Sequence, residues 1–169
     1  MYESTKGMAD FLNFKPQTLN NLPDSSQVQL LINMYPEAIV KPMKAELTTV
    51  GFEDLTTPDA VDKAISSKGT TLVVVNSVCG CAAGAARPGI KLAIQGNKRP
   101  DKLTTVFAGV DMEATAQARK HFIPYPPSSP AIALFKDGKL VHFIERHHIE
   151  GRPAEMIAEN LKMAFEQYC

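Results

Sequence analysis

One short segment constrains the fold of this chain more than any other: an apolar run followed closely by two cysteines. Residues 70–75 read TTLVVV, and runs of this kind, rich in β-branched residues, are typical of buried strands. The alanine-rich residues 82–86 favour a helix. Cys79 and Cys81 therefore fall where a strand gives way to a helix. This order of elements is found in α/β domains.

The position of Cys79 predicts thiol chemistry. The first turn of a helix has unpaired N–H groups and the positive end of the helix dipole, and both stabilise a thiolate. Helix N-termini lower the pKa of cysteine for this reason, and the thiolate is the nucleophilic form. We therefore expect Cys79 to be reactive.

Cys81 is close enough to Cys79 to form a disulfide with it. Two Cα atoms at this spacing in a first helical turn lie roughly 5.5 Å apart, which is within the usual disulfide range. The ring closed through the single residue Gly80 is small, so we expect a strained bond that accepts reduction readily. Gly80 would best tolerate the distorted backbone.

Two other interpretations of the cysteine pair remain open at this point. The cysteines could be two small buried residues, because free cysteine is among the most buried residue types. They could also be ligands in a metal or iron–sulfur carrier. A closed zinc site needs four ligands, however, and elsewhere the chain offers only His147-His148 and the distant Cys169 as further candidates.

Composition limits the class of protein and its partners. A hydrophobic fraction of 44% in 169 residues suits one globular domain with a substantial core. The 18 basic and 18 acidic residues balance, so we expect neither nucleic acid nor a membrane surface as partner. No secretory signal opens the chain and no run of 18 apolar residues is present, so we expect a reducing cytoplasm.

The chain divides into two parts by its pattern. Residues 1–33 are polar, and their apolar residues recur at neither helical nor strand spacing, which predicts a poorly ordered extension or a short docking arm. Residues 34–169 predict two helices, a strand, the cysteine helix with a kink at Pro88, a strand, a helix, a hairpin with an Asp137-Gly138 turn, and a last helix. The expected fold is α/β, with a central mixed sheet flanked by helices on both faces.

Three motifs give this chain a family resemblance. The motifs are VVVNSVCGCAAG at residues 73–84, PPSSP at residues 126–130 and EGRPAE at residues 150–155. The order of the predicted elements carries the same resemblance. The chain resembles the thioredoxin fold and, within it, closely resembles the bacilliredoxin family, from about Met34 to Cys169. The resemblance implies a cytoplasmic thiol-disulfide oxidoreductase that removes bacillithiol from S-bacillithiolated proteins, with possible weak disulfide isomerase activity. It implies no metal and no cofactor other than bacillithiol as co-substrate.

The resemblance also implies roles for individual residues. Cys79 would be the attacking thiolate and Cys81 the resolving thiol. Pro130 matches the proline that lies beside the active cysteine as a cis residue in thioredoxin-like folds, so Gly80, Ser129 and Pro130 are the expected substrate-binding residues. An extended substrate segment would pair with the backbone before Pro130. The expected partners are S-bacillithiolated proteins and bacillithiol, and the oligomeric state is left open.

Other residues with reactive or charged side chains receive ordinary interpretations. We expect Arg87 and Lys91 on the cysteine helix to form a solvated face, although they could attract a carboxylate-bearing thiol. We expect His147 and His148 to be a surface pair that points to opposite sides of a strand end. Cys169 is expected to face solvent, with resolution of Cys79 or pairing between chains as alternatives.

Overall fold

The computed structural model describes residues 35–169, so the predicted extension over residues 1–33 lies outside the described part. The helices are α1 (Glu37–Thr48), α2 (Pro58–Ile65), a π-helical segment (Ala82–Ala86) that continues into α3 (Arg87–Ala93), α4 (Met112–Lys120), α5 (Arg146–Ile149) and α6 (Ala154–Tyr168). The strands are β1 (Glu53–Asp54), β2 (Thr70–Asn76), β3 (Lys102–Phe107), β4 (Ala131–Lys136) and β5 (Lys139–Ile144).

The strands of the described part form one mixed sheet in the order β1-β3-β2-β4-β5. β3 runs parallel to both β1 and β2, whereas β4 is antiparallel to β2 and β5 is antiparallel to β4. β2 is therefore the central strand, and all seven of its residues are buried. This burial explains why its sequence is a continuous apolar run and does not alternate.

Helices cover both faces of the sheet. Leu72 and Val74 of β2 belong to a core cluster shared with α1, α3 and α6, and Val73 and Val75 belong to a second cluster shared with α2 and α4. Alternate residues of a strand point to opposite faces, so β2 contributes to both cores. The predicted α/β architecture, with a central mixed sheet flanked by helices on both faces, is confirmed. The cysteines after β2 and the proline before β4 complete the thioredoxin-like arrangement that the motifs imply.

The cysteine helix changes its geometry where Pro88 enters it. Helical structure begins at Gly80, widens into the π-helical segment, and becomes α-helical at Arg87. Pro88 has no N–H group to donate to the carbonyl four residues earlier, so the α-helical hydrogen-bond pattern is interrupted at this point. The kink predicted at Pro88 thus takes the form of a π-to-α transition.

Two elements were not predicted. Strand β1 has only two residues, Glu53 and Asp54, and it forms by pairing with β3. Helix α5 is a single turn where the sequence indicated the end of a strand. The predicted hairpin is confirmed, because Asp137 and Gly138 connect β4 to β5 with φ angles of 48° and 78°. None of the helices within residues 35–169 is long and apolar enough to cross a bilayer.

Candidate active site

The sheet topology brings the motif residues together at one end of β2. Because β4 is antiparallel to β2 and Val75 pairs with Ala131, the start of β4 lies beside the carboxyl end of β2. Pro130 therefore lies next to the cysteine loop, and the peptide bond between Ser129 and Pro130 is cis. Ser129 and Cys79 line the same cleft.

Cys79 and Cys81 form a disulfide, and their Cα atoms lie 5.4 Å apart, close to the separation expected from the spacing. Both cysteines are half-buried, and Gly80 between them is exposed. The backbone at Gly80 does not have a positive φ, and a Cβ added there would meet nothing within 4 Å. Gly80 therefore does not adopt a conformation that favours glycine, contrary to the expectation that it is there to tolerate a distorted backbone, and its exposure leaves open space beside the cysteines.

Two hydrogen-bond donors point at the sulfur of Cys79. The Ser77 hydroxyl donates to Cys79 Sγ at 3.3 Å, and the backbone N–H of Ala82 donates to the same sulfur at 3.3 Å. The Ala82 and Ala83 N–H groups also reach the Cys79 carbonyl at 3.1 and 3.2 Å. Cys79 therefore caps the start of the helix. Donors in this position stabilise a negative charge on Sγ when the disulfide is reduced.

A buried arginine holds the backbone in front of Cys79. Arg87 is 1% exposed, and its Nη1 donates to Asn76 Oδ1 and to the Ser77 carbonyl, both at 3.1 Å. Its Nε lies 3.0 Å from Glu46 Oε2, an ion pair rather than a well-aligned hydrogen bond. The prediction that Arg87 lies on a solvated face is wrong, because the guanidinium packs under the cysteine loop. Lys91 lines a different cleft, away from the cysteines.

An open cleft of about 370 Å³ lies over Cys79. Its polar lining consists of Tyr35, which precedes α1, and of residues from the cysteine loop, α4, the segment before Pro130 and α5, namely Ser77, Cys79, Thr115, Arg119, Ser129 and Arg146. The lining contains two arginines and, within the described part of the chain, no acidic side chain. Thr115 and Arg119 on α4 and Arg146 on α5 are not among the predicted site residues, since these two helices and the cysteine loop meet only in the folded chain.

Arg146 joins the cleft to the loop before Pro130. Its Nη1 donates to the Ser129 carbonyl at 3.4 Å, and its backbone N–H donates to Ser128 Oγ at 3.3 Å. The rest of the guanidinium pairs with Glu150, at 3.2 Å from Nη2 and 3.4 Å from Nε. These hydrogen bonds raise the pKa of Arg146 and lower the pKa of Glu150. The pair is exposed, so we assign it little stabilising energy.

Cys169 lies at the opposite end of β2 from Cys79. Its thiol is near the Thr70 side chain, and burial raises its pKa above the ordinary value of 9.0. Thr70 begins the seven-residue strand that leads to the cysteine loop, and such a strand spans about 20 Å. Within one chain, this fold does not bring Cys169 to Cys79. The residue as a whole is exposed, as predicted, although its thiol is partly covered.

His147 and His148 are an exposed pair, as predicted, but for a different reason. They lie in the single turn of α5 rather than at a strand end, and their ring centroids are 3.8 Å apart, so they do not point to opposite sides. Together with Glu145 they place three possible metal-ligand atoms within 4.8 Å of one another. Cys79 and Cys81 are not members of that group.

Comparisons with known proteins give a consistent result. Residues 35–169 match a protein-family model described as Disulphide isomerase. A bacilliredoxin from Cytophaga hutchinsonii is 61% identical over 134 residues, which is 79% of this chain and 99% of the relative. A bacilliredoxin from Koribacter versatilis is 53% identical over 137 residues, 80% of this chain and 94% of the relative.

Solved structures of thioredoxins are also similar, at much lower identity. Mitochondrial thioredoxin 3 from Saccharomyces cerevisiae is 20% identical with a TM-score of 0.49, covering 72% of this chain and 98% of its own. Oxidised thioredoxin from Plasmodium falciparum is 19% identical with a TM-score of 0.48, covering 70% and 98%.

Proposed function

The chain belongs to the bacilliredoxin family and is a thiol-disulfide oxidoreductase, and from this premise we propose that it removes bacillithiol from S-bacillithiolated proteins. The observation that carries the proposal is the setting of Cys79. Its sulfur accepts hydrogen bonds from Ser77 Oγ and from Ala82 N–H at the mouth of an open cleft. We assign Cys79 as the attacking thiolate, Cys81 as the resolving thiol, and bacillithiol as co-substrate with no other cofactor.

The first step is a thiol-disulfide exchange at Cys79. The thiolate attacks the bacillithiol sulfur of the mixed disulfide, a new bond forms between Cys79 Sγ and bacillithiol, and the bond to the protein substrate breaks. The electron pair of the broken bond leaves on the protein sulfur, which then takes a proton from solvent. Bacillithiol remains on Cys79 as a mixed disulfide.

Two routes discharge this adduct. A second molecule of bacillithiol can attack the adduct, which frees Cys79 and gives bacillithiol disulfide. Alternatively, the Cys81 thiolate attacks Cys79 Sγ, bacillithiol leaves as a thiol, and the Cys79–Cys81 disulfide forms. The second route oxidises the enzyme by two electrons, so an external thiol or dithiol must reduce it. A reducing cytoplasm would supply that reductant.

We propose that Gly80, Ser129 and Pro130 form the surface that receives the protein substrate. Gly80 is exposed with free space above it, and Ser129 lines the cleft with Cys79. Pro130 is buried, so its role would be to support the backbone of Ser129. An extended substrate segment could pair with that backbone as an added strand. A weaker disulfide isomerase activity at the same cysteines is part of the proposal, supported by the description of the matching family model.

The experiment is a turnover assay with a reporter protein that carries bacillithiol on a single cysteine. With bacillithiol present, the parent protein should restore the free reporter thiol, and Cys79→Ala should be inactive. Cys81→Ala should retain activity through the first discharge route. If Cys79→Ala works as well as the parent, the proposal is wrong.

The same set of variants tests the alternative of a metal or iron–sulfur carrier. Reduced parent protein, Cys79→Ala and Cys81→Ala are analysed for bound metal after purification without chelator. Stoichiometric metal that is lost in both variants, together with no turnover by the parent, would support Cys79 and Cys81 as ligands.

A further inference from the structure

Two residues of α4 that line the cleft each have a buried polar atom without a partner in the described part of the chain. Thr115 and Arg119 are four residues apart, so they lie on the same side of the helix, and both line the cleft with Cys79. Thr115 Oγ1 and Arg119 Nε are each buried, and within residues 35–169 neither has a hydrogen-bond partner. Buried polar groups normally have partners, because leaving one unpaired is unfavourable.

The charge of the cleft indicates what these groups would bind. The guanidinium of Arg119 has no ion pair with the described residues, whereas Arg146, which also lines the cleft, pairs with Glu150. The lining from the described chain contains no acidic side chain. A guanidinium recognises a carboxylate through charge-assisted hydrogen bonds, and a threonine hydroxyl can donate a second hydrogen bond to the same group.

We propose that Thr115 and Arg119 bind a carboxylate of the low-molecular-weight thiol that Cys79 receives. The inference rests on the proposed function and names the feature of the thiol that the enzyme recognises. With its carboxylate on α4, the thiol is held with its sulfur directed to Cys79 across the cleft. Cys79 then forms the new disulfide with the thiol, and the protein substrate leaves with the electron pair of the broken bond. Arg119 and Thr115 take no part in the electron transfer.

A matched pair of small thiols tests the inference separately from the proposed function. One reporter protein carries either 3-mercaptopropionate or 2-mercaptoethanol on its single cysteine. The first adduct ends in a carboxylate and the second ends in a hydroxyl. The same reporter with bacillithiol is the third substrate. Because the protein part is constant, any preference comes from the thiol and not from acidic residues of the protein substrate. Second-order rate constants for thiol release are measured by mass spectrometry of quenched samples.

We expect the parent to react faster with the carboxylate adduct than with the hydroxyl adduct. Arg119→Met should slow the 3-mercaptopropionate and bacillithiol reporters about 10- to 100-fold, the range for a lost hydrogen bond to a charged group, and leave the 2-mercaptoethanol reporter within about twofold. Thr115→Val keeps the side-chain volume and should slow the carboxylate adducts by a few fold. Lys120→Met removes one charge from the exposed side of the same helix and is the control.

Two outcomes would overturn the inference. If Arg119→Met slows all three reporters equally, Arg119 acts on the Cys79 thiolate and not on the thiol's carboxylate. If Arg119→Met and Thr115→Val leave all rates unchanged, these groups do not bind the thiol. A parent that releases 3-mercaptopropionate but leaves bacillithiol in place would instead refute the proposed function while the carboxylate preference stands. Should Arg119→Met fail to fold, the ratio of rates for the two small adducts in Thr115→Val decides the question.

Discussion

The sharpest structural prediction concerns Arg87, which lies buried beneath the cysteine loop. Replacement by Met keeps an unbranched apolar side chain but removes the two hydrogen bonds that Nη1 donates to Asn76 Oδ1 and to the Ser77 carbonyl. Asn76 Oδ1 still accepts from the Ser77 N–H at 2.8 Å, so the Ser77 carbonyl is the group left without this donor. A hydrogen bond to a charged group contributes about 1.5–3 kcal/mol, and an acceptor left unpaired adds to the loss.

Loss of the ion pair between Arg87 and Glu46 should add little to this loss of stability. The Glu46 side chain is 36% exposed, so water replaces the guanidinium when the arginine is removed. We therefore expect Arg87→Met to lower the free energy of unfolding by about 3 kcal/mol, and Glu46→Gln, the matched control, to lower it by less than about 1 kcal/mol.

Urea unfolding of the reduced proteins, followed by far-ultraviolet circular dichroism, measures both changes. Glu46→Gln removes the charge partner and keeps the hydrogen bonds to the loop, so the difference between the two variants isolates the loop contacts. A loss below about 1 kcal/mol for Arg87→Met, or equal losses for the two variants, would show that Arg87 does not hold the cysteine loop.

Three further predictions follow from single contacts. Ser77→Ala removes one of the two donors to Cys79 Sγ and should raise the pKa of Cys79 in the reduced protein. Alkylation of Cys79 by iodoacetamide below that pKa should therefore slow about tenfold. An unchanged pH profile of alkylation would count against the hydrogen bond. Gly89→Ala places a Cβ 2.7 Å from a backbone carbonyl of α6 and should cost about 1–3 kcal/mol of unfolding free energy, whereas Gly84→Ala, with nothing within 4 Å, should cost none. Hydrogen bonds to Asp101 from the start of β2 lower its pKa below 3.8, so their stabilisation is present above that pH and lost as pH falls through the lowered value. Urea unfolding should therefore show Asp101→Asn less stable than the parent at about pH 7, with the difference shrinking as the pH falls below 3.8, and a constant difference would refute the assignment.

The core of the fold was predictable because its determinants are local in sequence. The β-branched run of residues 70–75 and the Asp137-Gly138 turn each specify a backbone geometry within a few residues. Strand β1 carries no such signal. Its residues, Glu53 and Asp54, become a strand by pairing with β3, a contact between residues about 50 positions apart in the chain.

The site was predictable only where a motif is contiguous. Cys79 and Cys81 stand in one segment, so spacing alone gave their Cα separation closely. Arg87 was misread because a charged helical residue is usually solvated, and only the fold shows that Asn76 and Ser77 satisfy it in the interior. Arg119 has no neighbour in sequence that marks it, since α4 and the cysteine loop meet only in the folded chain.

The assignment of Cys79 as the residue that receives bacillithiol is the central claim, and peptide mapping by mass spectrometry tests it most directly. Cys81→Ala is exposed to an S-bacillithiolated protein, quenched with acid and digested. We expect one bacillithiol on the peptide that contains Cys79, whereas Cys79→Ala should carry none and leave the substrate modified. An adduct on Cys169, or on Cys81 in Cys79→Ala with normal release of the substrate, would contradict it.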